Sequence, residues 1–238
     1  MSFPPSGHVH VWYTSLDPCR QIVEQMEYTL AAGEWARLRR FHFAADARRY
    51  AVRRGVLRHL LAAYLDARPK KIAFVYGAQN KPALAPEWST SGLRFNLSDS
   101  GEMAVYAFAV GQGIGVDIEQ QRVYPDARQL AARFFSRAEA AWLRSQPQEQ
   151  TSSAFLRCWT CKEAVVKAQG DGLMAPLREF TVAHWSTPPR LIGPTTLLPN
   201  GSIHLLEPPP GYIAALASAG AVEAVHERCV GFTSPAAA

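Results

Sequence analysis

Two long apolar helices and the short strands that follow each of them constrain this chain most. From Asp46 onward, Tyr50, Val52, Leu57, Leu60, Leu61, Tyr64 and Leu65 recur at helical spacing and make one broad apolar face, with a stop at Arg68-Pro69. A second long helix is expected from about Glu149 to Gln169, closed by Gly170. Before the first helix come a strand with alternating Val9, Val11 and Tyr13 (His8 to Ser15) and two shorter helices, Pro18 to Leu30 and Gly33 to His42. After it come strands at Lys71 to Val75, Leu93 to Leu97 and Met103 to Val110, with the Pro-, Ala- and Ser-rich stretch Gly77 to Gly92 read as a loop.

The plan repeats loosely in the second half. A strand at Gly113 to Glu119 leads to helices near Asp126 to Arg133 and Arg137 to Ser145, then the second long helix. Strands follow near Glu179 to Ala183, Ser202 to Leu206, Tyr212 to Ala217 and Ala221 to His226, and the tail Gly231 to Ala238 is read as frayed. The fold class is α+β, with two pseudo-symmetric lobes, 1–112 and 113–238.

Composition narrows the class. A hydrophobic fraction of 48% with 19% charged residues excludes wholesale disorder. No stretch approaches the ~18 uncharged apolar residues of a membrane span. Residues Met1 to Tyr13 carry no basic flank before an apolar run, and four scattered cysteines make no secreted framework, so the chain reads as soluble and cytoplasmic. Cys158-Trp159-Thr160-Cys161 falls inside a helix with no second pair, and is read as coincidental.

The net charge of +5 favours anionic partners. The excess gathers between Arg37 and Arg58, as either a solvated helix face or an anion site. Zinc-finger spacing, an RNA-binding aromatic signature and a lysine-rich tail are all missing, so nucleic acid is the lesser reading.

Two constellations carry chemistry. In Gly115-Val116-Asp117-Ile118-Glu119 the two acids share a strand face. They are either a strand end exposed to water or a pair of hard oxygen ligands suited to Mg²⁺. In Trp159 through Lys167, the residues Trp159, Glu163 and Lys167 recur at four-residue steps on one helix face. A lone Glu–Lys pair is commonly a surface ion pair. Here, however, the chain holds five lysines in all, and two of them, Lys162 and Lys167, flank this glutamate.

These pieces, with Arg39-Arg40-Phe41 and Asp46, Asn80-Lys81-Pro82, Phe95-Asn96-Leu97-Ser98, and Arg133-Phe134-Phe135-Ser136 with Glu139, stand in one order. In that order the chain resembles the 4′-phosphopantetheinyl transferases of the two-lobed monomeric type, which serve carrier domains of secondary metabolism. The resemblance implies transfer of the phosphopantetheine arm of coenzyme A to a serine of an acyl or peptidyl carrier protein, with Mg²⁺, releasing adenosine 3′,5′-bisphosphate. It assigns Asp117, Glu119 and Glu163 to the metal, and Glu163 also to the serine proton. It places Lys167 and Lys162 on the pyrophosphate, and Arg49, Arg54, Lys81, Pro82, Asn96 and Ser98 along the coenzyme A site.

One position departs from the pattern: Asp99 stands where the family has a histidine that helps bind a coenzyme A phosphate. Asp99 is expected either to pair with a neighbouring arginine or to bond within the turn before Gly101, and the turn is the favoured reading. It is also the one feature that favours the alternative of a non-catalytic module gripping coenzyme A or a carrier.

Overall fold

The computed structural model describes residues 1–77, 81–170, 176–193, 197–198 and 200–232. Its elements are β1 (His8–Ser15), α1 (Arg20–Tyr28), α2 (Ala32–Leu38), α3 (Ala44–Leu65), β2 (Phe74–Tyr76), β3 (Pro82–Leu84), β4 (Leu93–Ser100), β5 (Met103–Val110) and β6 (Ile114–Gln120). They continue with α4 (Ala127–Phe134), α5 (Arg137–Arg144), α6 (Thr151–Gln169), β7 (Thr181–Ala183), β8 (Arg190–Ile192), β9 (Ser202–Leu205), β10 (Tyr212–Ser218) and β11 (Ala224–Cys229). The α+β class is as expected.

Two sheets carry the fold. One has the order β11-β1-β5-β4, the other β6-β10-β9. The pleat sorts side chains between layers. On β5, Ala104, Tyr106 and Phe108 meet the apolar face of α3, where Val56, Leu57, Leu60, Leu61 and Tyr64 pack. The alternate residues Val105, Ala107 and Ala109 face Ile114, Val116 and Ile118 of β6 and Leu216 of β10. That double burial explains why β5 reads as one unbroken apolar run. On β10, Ala215 and Ala217 turn outward to Cys161, Ala164, Val165 and Ala168 of α6. Each long helix therefore backs one sheet, and the two sheets share the core between them.

Several expectations are corrected. The final strand leaves the second lobe: β11 pairs in parallel with β1, from His8↔Ala224 to Tyr13↔Cys229. The division at 112/113 therefore does not separate two closed sheets. The stretch read as a loop from Gly77 contains β3, which pairs with β2 (Phe74↔Leu84), and a 3₁₀ segment at Pro86–Ser91. The strand expected from Lys71 begins at Phe74, because Pro69–Lys71 form a 3₁₀ turn. Asn80 of the Asn80-Lys81-Pro82 motif and residues 233–238 of the tail lie outside the described residues.

Candidate active site

The two sheets meet edge to edge at β4 and β6, and side chains replace a backbone ladder there. Val116 N–H donates to Asn96 Oδ1 at 2.9 Å, Ser98 Oγ donates to Asp117 Oδ1 at 2.7 Å, and Ser100 Oγ donates to Glu119 Oε2 at 2.8 Å. Every second residue of β4, from Asn96 to Ser100, thus holds a group on β6, and two of the three hold a carboxylate. The third member of that β6 face is Gly115, where a Cβ would overlap the α6 backbone at Ala164 and Ala168. Glycine lets α6 lie close over β6, which carries Glu163 and Lys167 to the carboxylates.

Lys167 closes the group. Its Nζ donates to Asp117 Oδ1 at 2.7 Å, to Ser98 Oγ at 2.8 Å and to Val116 O at 3.3 Å. Lys81 Nζ in turn donates to the Lys167 carbonyl at 2.6 Å. Asp117 is buried, and its Oδ2 has no hydrogen-bond partner. Burial, and then the charge of Asp117, pushes the Glu163 carboxyl up, while Lys167 pulls the other way. Burial likewise pushes Glu119 up, opposed by the Ser100 hydrogen bond and reinforced by Asp117.

From this group a groove of about 880 Å³ runs across the first lobe to α2 and α3. Eight basic side chains line it against two acidic ones, Glu34 and Glu163. Part of that charge is internally bound. Glu34 accepts from Arg54 Nε at 2.9 Å and Arg58 Nε at 2.7 Å, and Arg58 also donates to the carbonyls of Pro69 and Ile72. Arg54 reaches Tyr76 OH at 2.5 Å and lies over Phe74. Arg37 and Arg53 flank the ring of Tyr50. The floor is a rigid cationic surface suited to a multiply charged phosphate ligand.

The expected site residues divide. Asp117, Ser98 and Lys167 are in direct contact, Glu119 and Glu163 are near enough to feel the Asp117 charge, and Arg54, Lys81, Pro82 and Asn96 line the groove. Two do not fit. Lys162 is fully buried, with Nζ 2.8 Å from both Glu139 oxygens and 2.6 Å from Phe180 O, so it cannot reach a pyrophosphate in the groove. Arg49 is not among the lining residues and is paired with Asp17 at 2.6 Å. Asp99 follows the less favoured of its two expectations: it accepts from Arg53 Nη1 instead of bonding within its turn. Tyr76 and Glu34 enter the groove without having been singled out, and so does Tyr50, which reads in the sequence as part of the apolar helix face; Arg53 comes from the arginine excess. Arg54 and Arg58 belong to the arginine excess between Arg37 and Arg58, but nothing local in the sequence ties either to Glu34.

The chemistry of the donor set fits a hard divalent cation. The three carboxylates sense one another's charge, and Asp117 keeps one buried oxygen unpartnered. Among the described residues no three acidic, His or Cys side chains already converge as a metal cluster, and the cation that touches Asp117 is the Lys167 ammonium.

Comparison with known proteins agrees with this architecture. Residues 113–217 match the 4′-phosphopantetheinyl transferase superfamily, and residues 14–110 match the 4′-phosphopantetheinyl transferase N-terminal family. The 4′-phosphopantetheinyl transferase HetI of Nostoc sp. is 40% identical over 215 residues, covering 90% of this chain and 89% of its own. The 4′-phosphopantetheinyl transferase psf-1 of Bacillus pumilus is 32% identical over 162 residues (68% and 67%), and Sfp of Bacillus subtilis 31% over 144 (60% and 62%). The chain belongs to the 4′-phosphopantetheinyl transferase superfamily, and it is a transferase enzyme. No described helix is long and apolar enough to cross a membrane.

Proposed function

We propose that this enzyme moves the 4′-phosphopantetheine arm of coenzyme A to a serine hydroxyl of an acyl or peptidyl carrier protein, releasing adenosine 3′,5′-bisphosphate. One observation carries the reading: a basic groove leads from the arginine face of α3 to Glu163 and Lys167, and Lys167 binds Asp117. Its cations offset the charge of a nucleotide diphosphate and hold it in place. Lys167 ends the groove beside the carboxylates, where the diphosphate would place its reacting phosphorus. Asp117, Glu119 and Glu163 would hold Mg²⁺. When bound, the ion would neutralise the diphosphate and stabilise charge on the departing oxygen.

In the transfer, a bond forms from the serine oxygen to phosphorus while the phosphorus–oxygen bond to the nucleotide breaks. The leaving bisphosphate keeps the electron pair, and the serine proton passes to Glu163. A carboxylate raised by burial and by Asp117 holds that proton better than an exposed one. The binding-only alternative rested on Asp99, whose carboxylate is engaged by Arg53. As part of the same reading, the enzyme acts as a cytoplasmic monomer on carriers of secondary metabolism. Carrier domains are acidic around their modified serine, so the basic chain would steer their encounter.

The test is release of adenosine 3′,5′-bisphosphate from coenzyme A, followed by chromatography with an apo carrier and Mg²⁺. Release should require all three components, and Glu163→Gln should slow it by about 10²–10⁴-fold. Release that ignores the carrier, or survives Glu163→Gln, would overturn the assignment.

A further inference from the structure

Lys167 occupies an unusual place for a phosphate-binding lysine. Its ammonium lies 2.7 Å from Asp117 Oδ1 and is also fixed by Ser98 Oγ and the Val116 carbonyl. The Asp117 side chain is 6% exposed and that of Lys167 26%, so the ion pair is poorly screened.

We propose that Lys167 and the divalent cation compete for Asp117, and that the substrate's diphosphate resolves the competition by drawing the ammonium away. The proposal rests on the reading that Asp117, Glu119 and Glu163 hold the metal. An ammonium on Oδ1 and a dication on Oδ2 of one buried carboxylate lie close enough to repel strongly. A diphosphate in the groove offers Lys167 another anion, within reach of its flexible four-carbon stem. Once the ammonium swings to it, Asp117 presents Oδ1 as well as its unpartnered Oδ2. Metal and diphosphate then favour each other's entry, and this coupling must be reciprocal. Lys167 is in this sense a positioning residue for the metal as well as a contact for the phosphate.

The experiment titrates Mn²⁺ into the full chain and reads free Mn²⁺ by electron paramagnetic resonance, with and without coenzyme A. It compares wild type with Lys167→Met and Lys167→Gln, each checked for an unchanged circular dichroism melt. Without coenzyme A, both variants should bind Mn²⁺ at least about tenfold more tightly than wild type, because the resident cation is gone. Coenzyme A should tighten Mn²⁺ binding by a larger factor in wild type than in either variant. Equal or weaker Mn²⁺ binding by folded variants would overturn the competition while leaving the metal site standing. If wild type takes up no Mn²⁺ even with coenzyme A, the assignment of the three carboxylates to a metal fails, and the proposal fails with it.

Discussion

Ser98 Oγ donates to Asp117 Oδ1 at 2.7 Å across the seam between the two sheets, and accepts from Lys167 Nζ at 2.8 Å. One hydroxyl thus orients the acid and the ammonium together, and the seam between lobes is also the wall of the site. Ser98→Ala should leave the fold intact, because the hydroxyl lies at the sheet edge and not in the apolar core. Losing hydrogen bonds to two charged groups should cost about 1.5–3 kcal/mol of site organisation, or roughly ten- to a hundredfold in kcat/KM. Steady-state kinetics on a carrier protein would check it, and an unchanged kcat/KM would show that Asp117 is oriented without Ser98.

The Arg53–Asp99 pair makes a second prediction. Asp99 binds an arginine of the groove wall and so withholds part of its charge from a ligand. Asp99→His or Asp99→Asn should leave coenzyme A affinity unchanged or improved, with transfer retained. Isothermal titration calorimetry would check the affinity. Weakened binding in a folded variant would give Asp99 a direct favourable role toward the ligand.

Glu139 and Lys162 form a fully buried ion pair. Glu139 also accepts from Ser136 N–H, closing a capping box on α5, and from Val182 N–H, tying in β7. Glu139→Ala strands the Lys162 ammonium and should destabilise the protein by about 3–5 kcal/mol. Replacing both residues, as Glu139→Leu with Lys162→Met, should recover much of that loss. Denaturant unfolding of the two variants would compare them directly. Equal loss in both would mean that packing, not the stranded charge, sets the cost.

His184 supplies a pH dependence. Burial holds its imidazole down to about 4, against only partial support from the Val182 carbonyl. In the unfolded chain it takes up a proton near the ordinary value of about 6.5. The unfolded state therefore binds a proton that the folded state refuses, and stability falls as pH drops from about 6.5 towards 4. The shift corresponds to a loss on the order of 3 kcal/mol over that window. In His184→Gln the unfolding free energy should fall less steeply between these pH values. The same slope in both proteins would assign acid sensitivity elsewhere.

The site was legible where its logic is local. A period of two aligned Asp117 with Glu119, and a period of four aligned Glu163 with Lys167; both hold in the structure. Lys162 was misassigned because nearness in sequence is not nearness on a helix. Five residues before Lys167, it sits roughly 140° around the axis, facing the core. Its partner Glu139 lies on another helix, and no local signal joins them. The same holds for Arg49, drawn to Asp17, and for Arg53, drawn to Asp99. The parallel pairing of β11 with β1 joins the two ends of the chain, and alternation within either strand cannot show which sheet it enters.

On the proposed reading, Asp117, Glu119, Glu163 and Lys167 together perform the transfer of a phosphopantetheine arm. Intact-mass spectrometry tests it most directly, on an apo carrier protein incubated with this enzyme, coenzyme A and Mg²⁺. The carrier serine should gain the mass of one phosphopantetheine arm, and the gain should be lost with Asp117→Ala and with chelator. A carrier whose mass stays unchanged with wild-type enzyme, or rises equally with Asp117→Ala, would contradict it.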